Sequence, residues 1–260
     1  MKSFILFLIL ILPFQANAFS PSESLAEFCS DRLMPDYVKS LTQVESNLMS
    51  FKNHGGFAGK GVCWWHSRFQ RNALYLTYYA PEKEKLPQHE VRWLIRRIRN
   101  ANDVLEIPGF KNFLEFSTYY AKEIQDELET WQRFEGFRFT WIRGLRGSAR
   151  VSAEWMRQLM DNLYQEVTVK NNIGYQKLQM PGLTAHAWLV INMVQHESGY
   201  DLEILDSNFP NMTKPYYYKF GDTQLQYEKG SHFTPYLEYV NEMDRINSVI
   251  SATCNPASEE

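Results

Sequence analysis

The sequence predicts an α+β fold, because its hydrophobic periodicity changes once along the chain. In the N-terminal two thirds, apolar residues recur at three- and four-residue intervals, a spacing that favours amphipathic helices. From Gly174 onward, apolar and polar residues alternate, which is typical of strands in an antiparallel meander. No internal repeat, low-complexity tract or linker interrupts residues 19–260. We therefore predict one domain over that range.

The helices are predicted from apolar spacing and from residues that begin or end helices. Ser22 or Ser24 is the expected cap of the first helix, and Pro81 ends the third. The predicted helical ranges, in order, are 24–33, 35–51, 63–79, 91–98, 113–131, 151–163 and 237–250. The basic, glycine-containing segment 138–150 is predicted to be a loop.

Strands are predicted at 175–179, 183–193 and 200–206, with further strands at 215–220 and 223–227. The strand 183–193 alternates strictly, which predicts a half-buried strand. One face is expected to carry Leu183, Ala185, Ala187, Leu189, Ile191 and Met193, and the other Thr184, His186, Trp188 and Asn192.

Residues 1–18 have the pattern of a secretory signal peptide. Lys2 is followed by an apolar run over 4–12 and by Ala16-Asn17-Ala18, a small-x-small cleavage site. The run is too short to span a bilayer comfortably. Phe19 stands where a lipid-anchored protein would have cysteine. We therefore expect an exported protein, periplasmic or secreted, with no membrane anchor after the signal is removed.

The charge of the chain gives no indication of a nucleic-acid partner. Its formal net charge is −3, and removal of the signal peptide makes it −4, since Lys2 is the only charged residue in that segment. A nucleic-acid-binding domain is instead expected to carry an excess of basic residues.

The three cysteines can be divided into a structural disulfide pair and one free thiol that is available for chemistry. Cys29 and Cys254 lie near the two ends of the mature chain, and an oxidising compartment favours a disulfide between them. Cys63 is then the single free thiol. The alternatives are that Cys63 takes part in the bridge or that all three are free.

Cys63 follows a glycine-rich segment, with Gly55, Gly56, Gly59 and Gly61 in seven positions. Such a segment permits a tight loop that brings Cys63 to the start of a helix. The unpaired amides there favour an anion, so a thiol at that place tends to ionise and act as a nucleophile. The alternative is a structural cysteine behind a loop.

The later hairpin supplies a candidate base and its partner. His186 lies on the strand 183–193, and Asp206 ends the strand 200–206. A histidine with a carboxylate or amide beside it is the arrangement that activates a thiol. We predict that Asp206 orients the imidazole, and Asn208 is the alternative third member.

The segment Gly61-Val62-Cys63-Trp64 resembles the core motif of the papain-like cysteine peptidase superfamily, and the order of Cys63, His186 and Asp206 matches that superfamily. The motifs are most similar to divergent bacterial members, the YopT-like and bacteriocin-processing families, in which an Asp-x-Asn motif follows the histidine strand. The resemblance implies a cleft between a helical half that carries the cysteine and an antiparallel sheet half that carries the histidine.

One expected part of the family pattern is missing. Papains place a glutamine six residues before the cysteine as an oxyanion donor, and here that position is Phe57. We predict that the Cys63 amide is one donor and that Asn53 is the second, the alternative being that Asn53 is an ordinary turn residue. Three tryptophans beside the predicted catalytic residues are expected to wall the cleft: Trp64, Trp65 and Trp188. His66 is predicted to lie on the helix surface, the alternative being that it lines the cleft.

These features predict an exported thiol hydrolase that cleaves an amide bond in a peptide or protein, including a cell-wall peptide. Two alternatives remain: an acyltransferase or transglutaminase-like enzyme on the same triad, and a non-catalytic exported binding protein on a degenerate peptidase fold. No cofactor is expected. No metal site is expected either, because His54, His89 and His232 lack acidic or cysteine neighbours at metal-ligand spacing.

Overall fold

The computed structural model describes residues 19–56, 59, 61–137, 151–180, 185–227, 231–236 and 242–255. Its helices lie mainly in the N-terminal two thirds of the chain, and its main sheet, which is antiparallel, follows them. The predicted α+β class is therefore confirmed. The predicted signal peptide (1–18), the predicted loop 138–150, Phe57, Leu183 and Thr184 lie outside the described residues.

The described helices cover most of the ranges that the apolar spacing predicts. They are α1 (Leu25–Asp31), α2 (Tyr37–Leu41), α3 (Cys63–Leu76), α4 (Gln88–Asn100), α5 (Phe113–Tyr119), α6 (Ala121–Phe137), α7 (Ala153–Tyr164) and α8 (Glu242–Cys254). A 3₁₀ turn at Glu45–Asn47 follows α2, and a π-helical segment at Gln165–Val169 extends α7.

The strands form one six-stranded antiparallel sheet and a separate parallel pair. They are β1 (Thr77–Ala80), β2 (Leu105–Pro108), β3 (Gly174–Gln179), β4 (Ala185–His196), β5 (Gly199–Asp206), β6 (Thr213–Lys219), β7 (Leu225–Tyr227) and β8 (Ser231–Pro235). The order in the large sheet is β6-β5-β4-β3-β8-β7, and β1 pairs with β2.

Two of the predicted helical ranges are interrupted in the structure. The range 35–51 contains only α2 and the 3₁₀ turn, because the buried Asn47 side chain donates to the Leu41 carbonyl oxygen at 3.1 Å and competes with backbone pairing. The range 113–131 contains two helices that separate at Tyr120, whose φ of −107° and ψ of 30° are not helical. The Tyr120 hydroxyl donates to the Leu86 carbonyl oxygen at 2.6 Å, which ties the junction to the preceding loop.

The two ends of the described chain are joined by a disulfide between Cys29 on α1 and Cys254 on α8, with 5.3 Å between their α-carbons. This is the bridge that the cysteine positions predict. Ser24 caps α1, since its side chain accepts from the Glu27 N–H.

Helix α3 is the central helix, and nearly all its side chains are buried. It contacts β4 on one side and α4 and α6 on another. It ends at Leu76, three residues earlier than predicted, because the chain continues as β1. Arg32 caps its C-terminal end, donating to the carbonyl oxygens of Leu74 and Tyr75 at 3.0 and 3.2 Å.

Strand β4 departs from the predicted alternation in two ways. Its residues from His186 to Ile191 are buried on both faces, rather than on one. Its register with β5 shifts by one residue between Val190 and Asn192. Beyond this bulge the faces are exchanged, so Met193 packs in the same cluster as Trp188 and Val190, opposite to the predicted side.

Candidate active site

Cys63 is the first residue of α3 and the free cysteine of the three. Val62 precedes the helix in a non-helical conformation, and its side chain cannot cap the helix. The first amides of a helix lack acceptors within the helix, and the helix dipole adds partial positive charge there. The start of α3 therefore places partial positive charge beside the Cys63 side chain.

The path of the chain into Cys63 depends on glycine. Gly55, Gly56 and Gly61 have φ values of 65°, 73° and 89°, in the left-handed region that other residues avoid. A Cβ on Gly61 would lie 2.4 Å from Asn53 Nδ2, so a side chain has no room there. The Gly61 N–H donates to the Gly55 carbonyl oxygen at 2.8 Å. The loop is therefore closed immediately before the cysteine.

His186 on β4 lies between the other two predicted triad members. Its Nε2 is 2.9 Å from Asp206 Oδ1. The Cys63 side chain is the other polar neighbour of this ring, close enough to raise the pKa of the imidazole. The Cys63 Sγ is 3.7 Å from the carbonyl oxygen of Ala185, the neighbour of His186. The structure thus brings Cys63, His186 and Asp206 together.

The surroundings of His186 favour its charged form. Burial by itself lowers the pKa of the imidazole, but hydrogen bonding to Asp206 and Cys63 and the negative charges of both outweigh it and raise the pKa to about 10. At neutral pH the ring is then an imidazolium held between a carboxylate and a sulfur. A cationic imidazole that can give its proton away is what a thiolate mechanism requires.

Two aromatic rings fix the orientation of His186. The ring of Phe233 on β8 stacks on it, with 5.8 Å between centroids and 27° between planes. Trp188 meets it edge-on at 6.4 Å and 90°. The two aromatic rings also contact each other. Rings packed against an imidazolium hold its plane and stabilise its charge.

Asp206 is the acidic neighbour of the histidine, as predicted. It is the last residue of β5, and its side chain has no solvent exposure. Its Oδ1 also accepts from the Asn208 N–H at 2.8 Å, which fixes the carboxylate. The Asn208 side chain turns elsewhere, and its Oδ1 accepts from Asn53 Nδ2 at 3.2 Å. The geometry therefore favours Asp206 over Asn208 as the partner of His186.

Asn53 connects the cysteine loop to the Asp206 turn. Its Oδ1 accepts from the Val62 N–H at 2.5 Å, and its own N–H donates to the Ser207 carbonyl oxygen at 2.7 Å. Since Nδ2 donates to Asn208, one of the two Nδ2 protons remains for the predicted oxyanion contact. The oxyanion role of Asn53 stays a prediction, and its contacts give it a second role as a bridge between the two halves of the site.

The three tryptophans expected to wall the cleft are buried beneath the site. Trp64, Trp65 and Trp188 are 5%, 8% and 0% exposed. The indole N–H of Trp64 donates to the His186 carbonyl oxygen at 2.8 Å, and that of Trp188 donates to Gln176 Oε1 at 2.6 Å. Their place in a cleft wall stays a prediction, and the contacts of Trp64 and Trp188 show that these two side chains satisfy their polar ends inside the protein, beside the candidate catalytic residues.

His66 and Phe233 belong to the site region but do not follow from the sequence patterns. His66 is fully buried rather than on the helix surface, and its Nε2 is 2.8 Å from the Phe51 carbonyl oxygen. Burial lowers its pKa to about 4, so it is neutral. Phe233 lies on a five-residue strand, too short for a reliable alternation. The sequence feature that could have predicted this strand is a short run of strand-forming residues that ends at Pro235.

Two further observations concern the described residues as a whole. They include no group of three histidine, cysteine or acidic side chains arranged to hold a metal ion. None of their helices is both long enough and apolar enough to cross a membrane.

Comparisons of the chain with protein-family models, with curated proteins and with solved structures find no match.

Proposed function

We propose that this chain is an exported thiol hydrolase that cleaves an amide bond in a peptide or protein through an acyl-enzyme. Cys63 is the nucleophile, His186 the acid and base, and Asp206 the group that orients His186. The observation that carries the proposal is the position of the His186 ring, with Nε2 on Asp206 and Cys63 as the other partner of the ring.

The first half of the reaction uses the charged pair. The Cys63 thiolate attacks the substrate carbonyl carbon, and the C=O electrons move to its oxygen. In this proposal the Cys63 N–H, at the start of α3, donates to that oxygen. The C–N bond then breaks, and the leaving nitrogen takes the proton of the His186 imidazolium. An acyl group remains on the sulfur, and His186 is neutral.

The second half restores the enzyme. Neutral His186 takes a proton from water as the water oxygen attacks the thioester carbonyl. The C–S bond breaks, the carboxylic acid leaves, and the thiolate–imidazolium pair is restored. Asp206 keeps the imidazole in one tautomer and stabilises its charged form throughout, since a charge-assisted hydrogen bond is stronger than a neutral one.

The buried state of the triad supports catalysis over a purely structural cysteine. Asp206 has no solvent exposure, and His186 and Cys63 are 6% and 8% exposed. Burying an imidazolium and a carboxylate costs free energy unless a partner compensates it. A structural cysteine does not need such a pair at hydrogen-bonding range.

The test is hydrolysis of a peptide library by the mature chain, with Cys63→Ala and Cys63→Ser as variants. We expect defined cleavage products from the wild type and loss by about 10²-fold or more in both variants, with the fold retained by circular dichroism. His196→Ala is the matched control, since His196 is exposed on the same strand and should leave cleavage unchanged.

The product analysis also separates the proposal from its alternatives. Acyl transfer to an added amine without hydrolysis would reassign the chain to a transferase. Tight peptide binding with no cleavage and no covalent adduct on Cys63 would make it a binding protein. The export part is checked by the mass of the protein from a secreting host, which should begin at Phe19.

A further inference from the structure

Helix α6 presents four polar side chains on one face. Gln125, Glu129, Gln132 and Glu135 are spaced by three or four residues, so they lie in one row along the helix. In the helix the row faces the segments on both sides of Cys63. None of these residues belongs to the proposed triad.

Three of the four side chains contact the glycine loop before the cysteine. Gln125 Nε2 donates to the His54 carbonyl oxygen at 3.1 Å. The Gly56 N–H donates to Glu129 Oε1 at 3.1 Å.

The third contact is made by Gln132, whose Nε2 donates to the Gly61 carbonyl oxygen at 3.0 Å. All three hydrogen bonds are made to backbone groups of the loop. Two of them involve glycines, which have no side chain that could fix their position by packing. The row therefore contacts the loop where it begins, at His54 and Gly56, and where it ends, at Gly61.

Glu135 contacts the helix that follows the cysteine. Its Oε2 accepts from the Trp65 indole N–H at 3.0 Å, and its Oε1 accepts from Arg68 Nη1 at 3.1 Å. The Arg68 guanidinium also lies 4.4 Å from the centre of the Trp131 ring on α6. Side chains of helix α6 thus form hydrogen bonds with the chain on both sides of Cys63.

The loop has a physical need for such support. Glycine loses more conformational entropy on ordering than any other residue, and three glycines here hold positive φ. The loop's own bonds include the one between Gly61 and Gly55. Hydrogen bonds to a rigid helix reduce the number of conformations that remain.

Glu129 makes the loop contact that has a carboxylate as its acceptor. Hydrogen bonds from the Gln125 side chain and from the Gly56 N–H lower the pKa of its carboxyl, so it is charged at neutral pH. Hydrogen bonds to a charged acceptor are about twice as strong as neutral ones. The close approach also explains Gly55, where a Cβ would lie 2.3 Å from Glu129 Oε1.

We propose that Glu129 and Gln132 are positioning residues for Cys63: they hold the glycine loop so that the sulfur stays aligned with His186. This inference rests on the proposed function for its kinetic consequence, because a nucleophile displaced by about 1 Å can lose about 10²-fold in rate. The alignment itself is a structural property and is measurable without a substrate.

The kinetic test uses variants that remove or change the bond to the loop. Glu129→Ala and Gln132→Glu should lower kcat for peptide hydrolysis by about 10- to 100-fold with KM changed little. Glu129→Gln keeps an oxygen acceptor for Gly56 and should recover most of the rate. Asp126→Ala, on an exposed position of the same helix, is the matched control and should behave as wild type.

The second readout is the titration of the His186 ring by NMR. Because Cys63 raises the pKa of His186, a displaced sulfur should lower the titration midpoint towards that of Cys63→Ala. We expect this shift in Glu129→Ala and Gln132→Glu, but not in Asp126→Ala or Glu129→Gln. Unchanged midpoints in all four variants would overturn the positioning role.

The two readouts separate this inference from the proposed function. A wild-type protein without hydrolysis but with the expected midpoint shifts would refute the hydrolase and retain the positioning role. Normal hydrolysis by Glu129→Ala and Gln132→Glu, at equal thermal stability, would retain the hydrolase and refute the positioning role.

Discussion

The β4–β5 hairpin carries a histidine–aspartate pair at each end, and the two pairs differ in almost everything except chemistry. His186 and Asp206 lie 2.9 Å apart with side chains 8% and 0% exposed. His196 and Asp201 lie 2.7 Å apart with side chains 46% and 59% exposed. The distances alone do not distinguish them.

The surroundings of the two histidine–aspartate pairs distinguish them. The inner pair, His186 and Asp206, has Cys63 as a third member and the ring of Phe233 against the imidazole. The outer pair, His196 and Asp201, stands at the turn, where solvent screens its charges. Exposed ion pairs contribute about 0–1 kcal/mol to stability. A hydrogen-bonded His–Asp pair is therefore a functional candidate only when burial and a nucleophile come with it.

The largest expected difference between the pairs is in activity. Asp206→Ala should lower kcat/KM for peptide hydrolysis by about 10²-fold or more, because it removes the group that orients and charges His186. Asp201→Ala, the same change in the outer pair, should leave the rate unchanged. Steady-state kinetics on both variants, with folding checked by circular dichroism, is the measurement.

Asn208→Ala extends this comparison to the alternative third member. Its side chain contacts Asn53 rather than the imidazole, so we expect a markedly smaller loss than for Asp206→Ala. A larger loss for Asn208→Ala than for Asp206→Ala would transfer the orienting role to Asn208.

The disulfide separates stability from site chemistry. Replacing both Cys29 and Cys254 by alanine should lower the free energy of unfolding by about 2–5 kcal/mol, since the bridge restrains an unfolded chain across 225 residues. Neither pair on the hairpin involves these residues, so the activity per folded molecule should persist. Denaturant unfolding and active-site titration give the two quantities, and loss of activity in fully folded protein would contradict the separation.

A pH-dependent stability difference is expected for the inner pair. The pKa of His186 is raised to about 10 in the folded protein, above its ordinary value of about 6.5. Its contribution to stability is therefore full below about pH 6.5 and is lost as the pH rises through about 10. The free energy of unfolding of the wild type should approach that of Asp206→Asn over that range.

The control for this pH effect is Asp201→Asn in the outer pair. Its difference from wild type should stay below about 1 kcal/mol throughout, as is usual for exposed pairs. Urea unfolding at a series of pH values measures both variants. If the free energy of unfolding of the wild type exceeded that of Asp206→Asn by an amount that grows with pH, the charged form of His186 in the folded protein would be refuted.

The smallest expected effect tests the aromatic support of His186. Phe233→Leu keeps an apolar side chain but removes the stacked ring, worth about 0.5–1.5 kcal/mol, and should lower kcat by about 2- to 10-fold. Phe220→Leu is a control on another aromatic ring of the same packed cluster, away from the imidazole. Equal losses in the two variants would assign the effect to general packing.

The sequence predicts those parts of the fold whose signal is local. The start of α3 at Cys63, the main run of β4 and the end of β5 at Asp206 follow from glycines, alternation and turn residues close in the chain. From these positions the sequence also predicts the chemistry of the candidate site. The histidine–aspartate contact could be predicted because the two residues lie on strands that follow each other in the chain and pair as a hairpin.

The parts that escape sequence reasoning depend on distant contacts. The break at Tyr120 is associated with a bond to Leu86, and the burial of His66 depends on the Phe51 carbonyl oxygen. Strand β8 is too short to predict, although it supplies Phe233. The grip of α6 on the glycine loop likewise joins segments about 70 residues apart, which no local pattern contains.

The bulge at Ile191 has a consequence for how β4 can change in length. In a regular strand the even spacing of His186 and His196 would put both histidines on one face, whereas the extra residue sends them to opposite faces. Deleting a residue elsewhere in the strand would turn every following side chain over. Deleting Ile191 would restore a regular ladder and leave every neighbour on its present side, at the expense of one buried side chain. Within this strand, a one-residue deletion is therefore expected to keep the facing of the remaining residues only at Ile191, midway between the two histidines.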